Sequence, residues 1–73
     1  MFIQAGAFLN FENANRVRAR LSKLGTVKVS PVLVNGRDLF RVRVGPLASV
    51  AQADHMLERV ILSGYTDART IVD

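Results

Sequence analysis

Apolar residues recur along the chain with two different periods, and the changes of period mark out its elements. Phe2 to Ala7 is short and apolar, interrupted by Gln4 and Gly6, which is the pattern of a strand. Asn10 stands where a side-chain oxygen can cap a helix by accepting from the following turn. Behind it Phe11, Ala14, Val17, Leu21 and Leu24 return at helical spacing, with Glu12, Asn13, Arg16, Arg18, Arg20 and Lys23 between them. Gly25 is expected to end this helix in the left-handed conformation. Val27, Val29 and Val32 to Val34 form a β-branched segment interrupted by Pro31. Proline has no N–H to give a ladder, so this strand belongs at a sheet edge or a bulge.

Asn35-Gly36 is a strong hairpin signal. The return strand, Leu39 to Val44, alternates: Phe40, Val42 and Val44 on one face, Leu39, Arg41 and Arg43 on the other, until Gly45-Pro46 stops it. Ser49 to Gln52 has the spacing of a capping box. Val50, Ala53, Leu57, Val60 and Ile61 then form the buried stripe of a second helix, with Met56 at its margin and Gly64 closing it. Ala68 to Val72 can supply a fourth strand. The order strand, helix, strand, strand, helix, strand predicts an α+β, ferredoxin-like (split βαβ) fold. Its four-stranded antiparallel sheet carries two helices on one face and leaves the other open. This fold hosts enzymes, regulatory modules and RNA binders, so function must be read from the open face.

Composition narrows the field. Seventy-three residues support one small domain, expected to span residues 1–73. With 49% apolar and 22% charged residues, the balance is globular rather than disordered. The absence of cysteine removes disulfides, thiolate metal ligands and thiol catalysis, but does not separate cytoplasm from periplasm. No apolar run approaches the roughly 20 residues that span a bilayer, and the N-terminal residues do not read as a signal. An export signal or anchor is therefore expected outside this chain, which reads as a domain of something longer. The net charge is +4, and eight of the ten basic residues are arginine, whose fork suits carboxylate and phosphate. An anionic partner fits this charge, although so does ordinary solubility.

Little here points to catalysis. His55, with Asp54 and Glu58 close by on the second helix, reads as a solvated flank rather than a metal or acid–base set. Ser22, Ser30, Ser49 and Ser63 have no base placed for them, and no phosphate loop or dinucleotide fingerprint occurs. The domain is expected to be non-catalytic, without cofactor or metal. Arg16, Arg18, Arg20 and Lys23 read as the solvated side of the first helix. Arg41 and Arg43 differ, because alternation forces both onto the open sheet face, and Gln4 has the same character in the first strand. Any open face must be polar. Leu39 and Phe2 share it, however, and arginines, an amide and apolar surface together make a binding surface.

Two separated segments carry a resemblance. Phe2-Ile3-Gln4-Ala5-Gly6-Ala7-Phe8, followed by Asn10 and Glu12-Asn13-Ala14, resembles the opening of a SPOR (sporulation-related repeat) domain. Phe40-Arg41-Val42-Arg43-Val44-Gly45-Pro46 resembles that family's central signature, and Ala53, Leu57 and Gly64 fall where its second helix and turn would put them. The wording from Ser30-Pro31-Val32 to Pro46 is similar to copies that end the septal-ring lytic transglycosylase (rare lipoprotein A) family.

The resemblance implies a module that binds peptidoglycan glycan strands lacking stem peptides and targets a longer envelope protein to the division septum. That places it in the periplasm, as part of an exported protein such as a lipoprotein that can carry a separate lytic transglycosylase domain. The resemblance puts the family's first-strand glutamine on Gln4 and its glycan-facing arginine on Arg41, and the expected glycan-binding residues are Gln4, Ala7, Leu39, Arg41, Arg43 and Arg69. Ala7 sits where many members have serine, Leu39 where some have an aromatic, and Leu47 replaces a frequent phenylalanine. The domain itself is expected to be a monomer that touches neither membrane nor nucleic acid. The competing readings are a single-stranded nucleic-acid binder of the same topology, whose aromatic consensus is missing here, and a structural or dimerising ferredoxin-like domain.

Overall fold

The alternating periods become β1 (Phe2–Phe8), α1 (Phe11–Leu21), β2 (Val27–Val34), β3 (Arg37–Val44), α2 (Val50–Leu62) and β4 (Arg69–Ile71) in a computed structural model that describes residues 1–72. Asp73, the last residue of the expected domain, lies outside the described residues. The strands form one antiparallel sheet in the order β2-β3-β1-β4, so β1 and β3 are central and β2 and β4 are edges. The α+β, ferredoxin-like arrangement expected from the sequence is therefore present.

Both helices cover the same face. Ile3, Ala5, Val42 and Val44 of the sheet form one buried cluster with Ala14, Val17 and Leu21 of α1 and Ala53 and Val60 of α2. Each buried branched side chain contributes about 1.5–3 kcal/mol, while Ala14 and Ala53 let each helix backbone approach the sheet. Pro31 lies on an edge strand, as its missing N–H requires, opposite Phe40 in an unbroken ladder. Asn35 and Gly36 take φ of 52° and 78°. Positive φ at both positions matches a type I′ turn, whose twist suits the strands it joins.

The helix ends depart from the sequence pattern in instructive ways. Phe11 and Val50 belong to the apolar stripes by spacing, yet they are 53% and 66% exposed. Each is the first residue of its helix, where the chain is still entering from the loop. Phe11 instead sets its ring edge-on to Phe40, with centroids 5.5 Å apart. Gly25 does not end α1. The helix stops at Leu21, the Ser22 backbone N–H donates to the Arg18 carbonyl, and the Ser22 hydroxyl donates to the Ala19 carbonyl at 2.7 Å. Positive φ falls on Gly36, Gly45 and Gly64 among the glycines, so Gly64 closes α2 as expected but Gly25 does not. In the capping box, Gln52 N–H donates to Ser49 Oγ, and Gln52 Oε1 accepts from the N–H of Ala48 rather than of Ser49.

One irregularity decides the face of every residue near the end of β1. Ile3 pairs with Val44 and Gln4 with Arg43, but Gly6, not Ala5, pairs with Val42. Ala5 is thus the extra residue of a β-bulge, and its side chain is buried with those of the helix-side core. Past the bulge the phase shifts, so Ala7 pairs with Arg41 on the open face and Phe8 with Phe40 on the helix face. The Phe8 ring lies back over Gly6, where an added Cβ would meet it at 3.0 Å.

Ala14→Leu and Ala53→Leu each insert bulk where the residue is essentially without exposure. Each should destabilise by about 1–3 kcal/mol, read as a lower urea midpoint at unchanged slope. An unchanged midpoint for either variant would contradict the packing described here.

Candidate functional site

The sheet surface away from the helices is built by alternation and register alone. On β3, Val42 and Val44 point into the core, so Arg37, Leu39, Arg41 and Arg43 stand on the open face. Their partners on β2 are Val34, Val32, Ser30 and Lys28. On β1, Gln4 stands beside Arg43 and Ala7 beside Arg41. On β4, Arg69 pairs with Gln4 and Ile71 with Phe2. All six residues named from the sequence (Gln4, Ala7, Leu39, Arg41, Arg43 and Arg69) therefore share one face.

The electrostatics of this face have one sign. Its charged residues are Lys28, Arg37, Arg41, Arg43 and Arg69, while Asp38 pairs with Leu33 on the other side of the hairpin. Lys28 and Arg43 are directly opposite each other, an arrangement that costs stability when nothing screens it. The guanidinium of Arg43 lies 5.8 Å from the centroid of the Phe2 ring. That contact is worth about 0.5–1 kcal/mol at such a site and restrains where the charge sits. The Nε atoms of Arg41 and Arg43 are buried without a hydrogen-bond acceptor among the described residues. An unmatched donor gains nothing from folding, so this local arrangement does not follow from folding stability alone.

Several neighbours were not legible as site residues. Lys28 and Ser30 sit opposite Arg43 and Arg41, and counting back from the two-residue turn at Asn35-Gly36 would have found both. Ahead of the first residue of β4, a groove of about 350 Å³ opens between Ala5–Phe8 of β1 and the turn Gly64–Asp67. It meets the open face at Ala7. By contrast, Asp54, His55 and Glu58 are exposed on α2, in the helix layer. Among the described residues no group of three or more potential ligands for a metal ion gathers, and no helix is long and apolar enough to cross a membrane.

Comparison with known proteins agrees with this geometry. The family model described as SPOR domain matches residues 1–68. The fold superposes on the crystal structure of the RlpA SPOR domain from Pseudomonas aeruginosa with a TM-score of 0.90, at 27% identity, covering 99% of this chain and 97% of that one. No curated protein matches the chain.

Because Arg41 and Arg43 face away from the core, Arg41→Ala and Arg43→Ala open no cavity beneath the helices. Each should change unfolding stability by less than about 1 kcal/mol. Urea denaturation of both variants checks this, and a loss comparable to that of the alanine-to-leucine changes would mean that the arginines hold the fold together.

Proposed function

The chain belongs to the SPOR domain family, a family of non-catalytic, peptidoglycan-binding modules, and from that premise we propose that its open sheet face holds glycan strands stripped of their stem peptides. The observation that carries this reading is the single-sign face, with Gln4 set among Lys28, Arg41, Arg43 and Arg69. Removing a stem peptide frees the lactyl carboxylate of muramic acid and makes the glycan a regular polyanion. A guanidinium fork pairs with such a carboxylate through charge-assisted hydrogen bonds, and Arg41 and Arg43 take this role. Gln4 both donates to and accepts from an N-acetyl group. Leu39 and Val32 supply apolar surface for a sugar ring, and the small Ala7 beside Arg41 leaves room for one. An intact stem peptide converts the carboxylate to an amide and adds bulk, so selectivity comes from a lost charge and a clash together.

The same features disfavour the other readings. A sheet that stacks nucleic-acid bases needs exposed aromatics, whereas Phe8 and Phe40 lie on the helix side and Phe2, on the open face, is half-buried with the Arg43 guanidinium over its ring. Pairing between copies through a sheet edge is opposed by Pro31 and Lys28 on β2 and by the three-residue length of β4. The domain then acts as a monomer and touches neither membrane nor nucleic acid. Bare glycan arises where amidases act during septal splitting, so the domain delivers a longer envelope protein to the periplasmic division site.

Amidase-treated sacculi should retain the domain and untreated sacculi should retain little. Equal retention on both would defeat the selectivity. Arg41→Ala should lower affinity for a bare glycan by about one to two powers of ten, the value of a charge-assisted hydrogen bond of roughly 1.5–3 kcal/mol. Arg16→Ala, on the exposed side of α1, is the control. If it lost as much affinity as Arg41→Ala, the binding surface would be the helix layer.

A further inference from the structure

We infer that the glycan crosses the sheet at right angles to the strands, with one free carboxylate on the arginines of β3, the next on Arg69 of β4, and the intervening neutral sugar over Gln4. This inference rests on the reading above and adds a direction and a register to it. Its basis is the pairing pattern. Lys28 is opposite Arg43, Arg43 opposite Gln4, and Gln4 opposite Arg69, so these four form one row across all four strands. Within it a cation, an amide and a cation occupy β3, β1 and β4.

The spacing of that row selects its ligand. Arg43 and Arg69 stand on strands two spacings apart, about 9.6 Å at the usual inter-strand distance of about 4.8 Å. An extended β-1,4 glycan of alternating N-acetylglucosamine and N-acetylmuramic acid returns the same sugar to the same face once per disaccharide, a length of this same order. Successive carboxylates thus meet Arg43 and Arg69, and the sugar without a carboxylate lies over the amide. Running along β3 instead does not fit. Arg41 and Arg43 are two residues apart, about 6.8 Å, too close for successive carboxylates but suited to gripping one carboxylate between them. Nucleic acid fits the row no better, because a stacked strand carries a charge every roughly 3.4 Å. The row also ends at open edges, β2 on one side and β4 on the other, so a long glycan passes over it without needing a free end.

The test is calorimetric titration with a bare disaccharide, carrying one carboxylate, and the bare tetrasaccharide, carrying two. The unmodified domain should bind the tetrasaccharide at least about tenfold more tightly, because the second contact is intramolecular. Arg69→Ala should reduce that ratio to about twofold or less while leaving disaccharide affinity within about twofold. Arg69→Gln, which keeps a long polar side chain on the edge strand, should do the same, and melting curves establish that both variants fold. Arg41→Ala should weaken both ligands by a similar factor and keep the ratio. If Arg69→Ala and Arg69→Gln preserve the ratio while Arg41→Ala weakens both ligands, the glycan does not cross to β4, although the site for bare glycan stands. If the unmodified domain binds neither saccharide, or binds a uridine oligomer more tightly than the tetrasaccharide, both the crossing and the site fall.

Discussion

The bulge at Ala5 is the constraint on which both faces of the sheet depend. β1 is a central strand, bonded to β3 on one side and β4 on the other, so its phase is imposed on its neighbours. Before the bulge it must bury Ile3 and present Gln4. After it, the strand must bury Phe8 against Phe40 and present Ala7 beside Arg41. Strict alternation satisfies only one of these demands, since Gln4 and Phe8 are separated by an even number of residues and would share a face. One extra residue resolves the conflict. Gly6 follows it immediately and leaves the inner surface bare for the Phe8 ring.

This explains which parts of the molecule were legible in the sequence. Alternation over Leu39–Val44 and the helical stripes around Ala14, Val17, Leu21, Ala53 and Val60 assign the core correctly, because each is a local period. Gln4, Arg41 and Arg43 follow from the same local rule. Ala7 and Arg69 do not, since one depends on the bulge and the other on how β4 registers against β1, and neither leaves a periodic trace. For Ala7 the resemblance to a known family supplied what spacing could not. Phe11 and Val50 were misjudged for a related reason. A helical stripe says which direction a residue faces, but at the first helical position only part of the side chain has anything beneath it.

Folding and the proposed binding draw on the same strands but on opposite phases of them. Val42 and Val44 have no exposure and stabilise the domain, while the arginines alternating with them gain little from the fold. Lys28 opposite Arg43 is an electrostatic liability in the free protein. Such an arrangement persists where something outside the chain offsets it, which is the role proposed above for the polyanionic glycan.

The basic residues of α1 provide the contrast that makes the sheet distinctive. Arg16 and Arg20 are exposed on the helix, Lys23 is exposed in the turn after it, and Arg18 already donates its Nε–H to Asn15 Oδ1 at 2.8 Å. Side chains there radiate from a convex surface and must lose rotamer freedom to converge on a ligand. On the sheet, the backbone sets the lattice, and neighbouring strands hold cations at fixed multiples of one spacing. Phe2 further restrains Arg43. The two basic surfaces therefore differ in order as well as in place: the helix cations radiate from a convex surface, whereas those of the sheet follow the strand spacing.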